Sequence, residues 1–130
     1  FDHIWGVGVG IDMTRRDIQK TAKDKGRPWD MAKGFDKSAP ISALVPLADV
    51  PSLTSGRIWL SVNGELRQDG DIGDMIWSVK EHIAALSQAV RLEAGDIIMT
   101  GTPAGVGAVV SGDVMTGGAD GIGTVEVRIS

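Results

Sequence analysis

The stretch Ile58-Trp59-Leu60-Ser61-Val62-Asn63-Gly64-Glu65-Leu66-Arg67-Gln68 decides the fold class. Ile58, Leu60 and Val62 alternate along one face, and the chain returns after Asn63-Gly64. Asn-Gly supplies the two positive φ angles that a two-residue type I′ turn requires, so residues 57–69 are expected to form an antiparallel hairpin.

Upstream of the hairpin, Pro40, Pro46 and Pro51 interrupt short apolar runs between residues 38 and 55, a pattern of edge strands and connecting loops. Residues 4–11 alternate apolar side chains with Gly6, Gly8 and Gly10, which predicts a strand that another backbone approaches closely. Charges cluster over residues 14–25. There Thr14 followed by Asp17 predicts a short capped helix ending before Gly26-Arg27-Pro28. Downstream, Ser78 with Glu81 forms a capping box, and Val79, Ile83, Leu86 and Val90 repeat at helical spacing over residues 79–91. Three strand-like stretches follow, 96–100, 113–116 and 123–129, separated by glycine-rich loops. The expectation is a mostly β fold with one main helix, and the 130 residues suit one domain.

Apolar residues make up 42% and charged residues 23%, which is too apolar and too weakly charged for disorder. Lys and Arg number 13 against 17 Asp and Glu, giving a net charge of −4 and no electrostatic footprint for nucleic acid. The lack of cysteine excludes disulfides and thiolate metal sites, and no apolar run approaches the ~20 residues that span a bilayer. A cytoplasmic protein is expected. The sequence opens at Phe1 rather than Met and without the regions of a signal peptide, so it is expected to be part of a longer chain.

Several constellations could carry chemistry. Gly6-Val-Gly8-Val-Gly10 fails as a dinucleotide fingerprint because Met13 stands where the third glycine belongs. Gly101-Thr102-Pro103-Ala104-Gly105-Val106-Gly107 could present backbone N–H groups and a hydroxyl to an anion, or could be an ordinary loop. Asp12 follows the first strand, with Arg16 and Gln19 close behind. A carboxylate there could ligate a hard cation beside groups that grip an acidic substrate, and a solvated turn is the plain alternative. Lys33, amid small and apolar residues, is a candidate partner for a metal or carboxylate. His3 and His82 have no suitable partner nearby in sequence and are read as structural.

Together these motifs resemble the fumarylacetoacetate hydrolase family. The run of residues 11–19, Ile-Asp-Met-Thr-Arg-Arg-Asp-Ile-Gln, resembles that family's D-[VWL]-[ST]-x-R-D-x-Q stretch, and Lys33-Gly34-Phe35-Asp36 its lysine motif. Residues 60–70, then Asp74-Met-Ile-Trp-Ser-Val, then residues 95–107 resemble the rest of its C-terminal catalytic domain in order. Gly26-Arg-Pro-Trp-Asp and Ser38-Ala-Pro are most similar to the bacterial fumarylpyruvate hydrolase (acylpyruvase) branch.

The resemblance implies a mixed β-sandwich or β-roll, usually a homodimer, with Mg²⁺, Mn²⁺ or Ca²⁺ held by three carboxylates. It makes Asp12 a metal ligand and Lys33 a catalytic residue that also contacts substrate. It places Arg16 and Gln19 at the substrate's polar end and Thr102 at its carboxylate. The family's other two ligands, a Glu-x-Glu pair upstream of the aspartate strand, and its water-activating His and Glu do not occur at matching positions among these residues. The implied activity is a metal-dependent hydrolase that cleaves a C–C bond of a 2,4-dioxo acid such as fumarylpyruvate, in aromatic catabolism. Decarboxylase, isomerase or hydratase chemistry on a related 2-oxo acid, or a non-catalytic carboxylate-binding or dimerisation module, are the alternatives.

Overall fold

The computed structural model describes residues 2–130. The hairpin forms as the sequence implies: Asn63 and Gly64 take φ of 52° and 81°, joining β3 (Arg57–Val62) to β4 (Glu65–Asp71). Strand β5 (Val114–Ala119) pairs with the other edge of β3, and β6 (Gly123–Arg128) pairs with β5. The result is a four-stranded antiparallel sheet in the order β4-β3-β5-β6.

Facing pairs show where the core lies. Val62 stands opposite Met115 and Ile58 opposite Ala119, while Met115 stands opposite Val127 and Gly117 opposite Val125. Cross-strand partners share a face, so these side chains make one apolar surface. Val9 and Ile11 bury against it with Val62, Met115, Ala119 and Val125. The glycine-alternating segment therefore supplies the second layer.

That segment is held by a broken ladder rather than one continuous strand. Strand β1 (Gly6–Val7) pairs antiparallel with β2 (Val45–Pro46), Gly10 bridges Ile41, and Ile11 and Met13 donate their N–H groups to the carbonyls of Pro40 and Ser38. Gly6 shows why glycine is needed here, since a Cβ at that position would collide with the Val45 carbonyl oxygen. The proline-punctuated stretch thus serves as its partner.

Helix α1 (Arg16–Asp24) forms, but Thr14 does not cap it: Arg15 is the N-cap residue and makes no side-chain capping bond. The Thr14 hydroxyl is taken instead by the Lys33 ammonium. A short α2 (Asp30–Lys33) packs against α1 and buries Ala32 completely. Helix α3 (Val79–Ala89) carries the expected reciprocal Ser78–Glu81 capping box and ends two residues short of the expected 91. It buries no residue. Residues 96–100 do not form the expected strand, because among the described residues no other strand pairs with them, and the Asp96 N–H only closes a local turn on the Glu93 carbonyl. No helix among the described residues is long and apolar enough to cross a membrane.

Candidate active site

A cavity of about 330 Å³ opens between the segment 9–12, the core face of β3 and β4, and the loop 101–109. Asp12, Arg16, Lys33 and Thr102 all line it, although they come from three separate parts of the chain. Gln19 does not line it. Its Oε1 accepts a 3.3 Å hydrogen bond from Arg16 Nη1, so it touches the site through Arg16.

Asp12 and Lys33 meet because α2 is fixed to the start of α1. The Arg15 N–H donates to the Ala32 carbonyl, and the Ala32 methyl is enclosed, which sets the direction of the next side chain. Lys33 Nζ donates to Asp12 Oδ2 at 2.7 Å and to Thr14 Oγ1 at 2.8 Å. Both charged side chains remain about a third to a half exposed, so the pair adds little to stability. Its consequence is positional: an ammonium is held beside a carboxylate at the cavity wall. Thr14 belongs to this cluster, a role that its helix-capping reading concealed.

The opposite wall depends on a β-bulge. Ser61 pairs with Leu66 and Leu60 with Gln68, so Arg67 is an extra residue in β4. In an unbroken ladder Arg67 would oppose Leu60 on the core face. The bulge puts Gln68 there instead. Gln68 Nε2 donates to Thr102 Oγ1 at 2.8 Å and to the Pro103 carbonyl at 2.6 Å, clamping the glycine-rich loop to β4. Gly105, at φ 100°, lets that loop press on β4, where a Cβ would collide with the Arg67 carbonyl oxygen.

Two cations, Arg16 and Lys33, line the cavity against one acidic side chain, Asp12, while the Arg67 guanidinium pairs with Glu65 at 3.2 Å, and Glu65 does not line it. That balance suits an anionic ligand. No His, Cys or Glu lines it. His82 lies on α3 with its Nδ1 at 3.1 Å from the Ser78 carbonyl oxygen and does not line the cavity.

The family resemblance extends over the whole chain. The family described as fumarylacetoacetate (FAA) hydrolase C-terminal matches residues 1–130. This chain belongs to the fumarylacetoacetate hydrolase family. Among similar proteins, the oxaloacetate tautomerase FAHD1, mitochondrial, of Rattus norvegicus is 44% identical over 98% of this chain and 58% of its own length. The fumarylpyruvate hydrolase of a Ralstonia species is 45% identical over 97% of the chain and 65% of its own. The crystal structure of fumarylpyruvate hydrolase from Pseudomonas aeruginosa in complex with Mn²⁺ and pyruvate superposes with a TM-score of 0.95 at 48% identity, covering 98% of this chain and 55% of that one. The chain thus spans little more than half to two thirds of the length of these relatives.

The fold is that of the family's C-terminal domain, and a family member at this similarity holds a divalent metal. The residues present do not make a complete metal centre. No group of three or more potential His, Cys, Asp or Glu ligands gathers among the described residues. A hard divalent cation takes ~6 oxygen ligands, and Asp12 offers one carboxylate.

Proposed function

We propose that this chain is the substrate-holding part of a divalent-metal-dependent hydrolase that cleaves a C–C bond of a 2,4-dioxo acid of the acylpyruvate type, such as fumarylpyruvate, in aromatic catabolism. The observation that carries the reading is the Lys33 ammonium, fixed by Asp12 and Thr14 in the same cavity as Arg16 and Thr102. Hydrolysis adds water across the bond between the acyl carbon and the pyruvyl methylene, giving one carboxylic acid and pyruvate. The leaving fragment departs as an enolate, and an ammonium fixed beside it in advance stabilises charge as it develops.

In this reading Thr102 contacts the substrate carboxylate, and Arg16, steadied by Gln19, holds its polar end. Asp12 would contribute one carboxylate to the cation, Mg²⁺ or else Mn²⁺ or Ca²⁺, and the remaining ligands are not among these residues. The base that activates water is likewise outside them. The 45% identity to a fumarylpyruvate hydrolase supports the substrate class. So does the pyruvate found with the Pseudomonas relative, because pyruvate is one product of acylpyruvate hydrolysis. A homodimer in the cytoplasm completes the proposal.

Tautomerisation of oxaloacetate is the second reading, favoured by the 44% identity to the rat protein. Both substrates are 2-oxo acids that pass through an enolate, so the same cations serve either reaction. Incubating the full chain with Mn²⁺ and fumarylpyruvate should remove the enol absorbance and release one pyruvate per substrate consumed. Enol–keto exchange of oxaloacetate, without pyruvate released from fumarylpyruvate, would replace the hydrolase reading with the second.

A further inference from the structure

We infer that Gln68 is a positioning residue that sets the polarity of the Thr102 hydroxyl, leaving it as a hydrogen-bond donor toward a substrate carboxylate. The inference rests on the reading of Thr102 as the carboxylate contact. Gln68 is the one buried polar side chain among the described residues, at 7% exposure.

Its orientation follows from chemistry. The end of the side chain at 2.6 Å from the Pro103 carbonyl oxygen must be the NH₂, because a carbonyl oxygen only accepts. The same NH₂ lies 2.8 Å from Thr102 Oγ1 and carries a second proton. Thr102 Oγ1 is therefore the acceptor in that bond. A hydroxyl has one proton of its own, and the bond recorded at the exposed Thr102 hydroxyl is the one it accepts from Gln68, which leaves that proton unused. Thr102 lines the cavity, so the proton is available to a ligand there. A carboxylate is the acceptor that gains most, since a hydrogen bond to an ionised partner is about twice as strong as a neutral one.

The bulge at Arg67 is what brings this about. It turns Gln68 rather than Arg67 toward the loop, and Gly105 allows the loop to reach it. Gln68 needs no contact with substrate. It acts through Thr102.

Calorimetric titration of pyruvate into the protein, in buffer with and without Mn²⁺, tests this, using Gln68→Glu, Gln68→Met, Thr102→Val and the double variants. A glutamate carboxylate would accept the Thr102 proton, so Gln68→Glu should weaken pyruvate binding about tenfold, the worth of one hydrogen bond to a charged acceptor. Thr102→Val should lose a similar amount, and adding Gln68→Glu to it should lose nothing more. Gln68→Met fills the space without capturing the proton and should cost about threefold at most. Should Gln68→Glu fail to fold, Gln68→Met in the Thr102→Val background carries the test, with no added loss expected.

Additive losses in the double variants, or equal losses for Glu and Met, would show that Gln68 merely supports the loop and would overturn the inference. A loss in Thr102→Val with none in Gln68→Glu would overturn it and leave the carboxylate contact standing. Wild-type protein that does not bind pyruvate, or Thr102→Val that binds it normally, would remove the carboxylate contact itself, and the inference with it.

Discussion

Lys33 donates two hydrogen bonds, to Asp12 and Thr14, from the end of a four-residue helix. An ammonium tethered in this way reorganises little when negative charge appears beside it, and removal of one such donor typically costs about 10²- to 10³-fold in turnover. Lys33→Met is accordingly expected to lower kcat by about 100-fold while the Mn²⁺ dissociation constant shifts far less. Asp12→Ala should do the reverse at the metal, weakening Mn²⁺ binding by on the order of tenfold or more through loss of a ligand oxygen. Steady-state kinetics beside Mn²⁺ calorimetry separate the two, and equal losses in both quantities for Lys33→Met would assign that residue a structural role. Asp12, Lys33 and Thr102 could be singled out from the sequence because their motifs are short and ordered. Thr14 and Gln68 could not. Thr14 resembled a helix cap, and the side to which Gln68 points depends on a bulge that strict alternation hides.

Elements whose geometry is fixed by neighbours in sequence were legible, and so were the strands expected at 113–116 and 123–129, which form as β5 and β6, whereas residues 96–100 were misread. Asn63-Gly64 and the Ser78–Glu81 capping box each satisfy their own backbone groups, and both appear as expected. Residues 96–100 have the composition of a strand, but a strand exists only where another edge accepts its hydrogen bonds. The Ser78 backbone N–H and, less strongly, its hydroxyl hold the Glu81 carboxyl below its ordinary 4.5. A carboxylate with a depressed folded pKa adds stability that is complete above its unfolded value and is lost as pH falls through the folded one. The helical Cα chemical shifts of α3 should therefore hold steady above pH 4.5 and fall away at more acid pH. Ser78→Ala should cost about 1 kcal/mol of helix stability by removing the cap. Because α3 buries no residue, that cost should appear as fraying of the helix at nearly unchanged Tm. A large fall in Tm would mean that α3 is coupled to the core in solution.

At the scale of the whole molecule, the accessible surface is 8895 Å² for a chain of 13.7 kDa. A compact monomer of that mass exposes about 6,600 Å², so some 2,300 Å² more is open than a closed domain would leave, about as much as an obligate interface buries. Composition could not reveal this, because 42% apolar residues states how much apolar surface exists and not how much is covered. The exposed apolar side chains show where it lies: Trp5, Ile76 at 97% exposure, Trp77, Val90, Ile97 and Val110. Several flank α3 or the unpaired segment 96–100, the two elements that found no partner. Exposed apolar side chains clustered on a surface this open drive association. The 130 residues should therefore sediment as dimers or larger species and bind the dye ANS. If they sediment as a monomer that leaves the dye free, the layers must close on themselves in solution. The cavity between segment 9–12 and loop 101–109 would then need to be narrower than the one that holds Asp12, Lys33 and Thr102 together here.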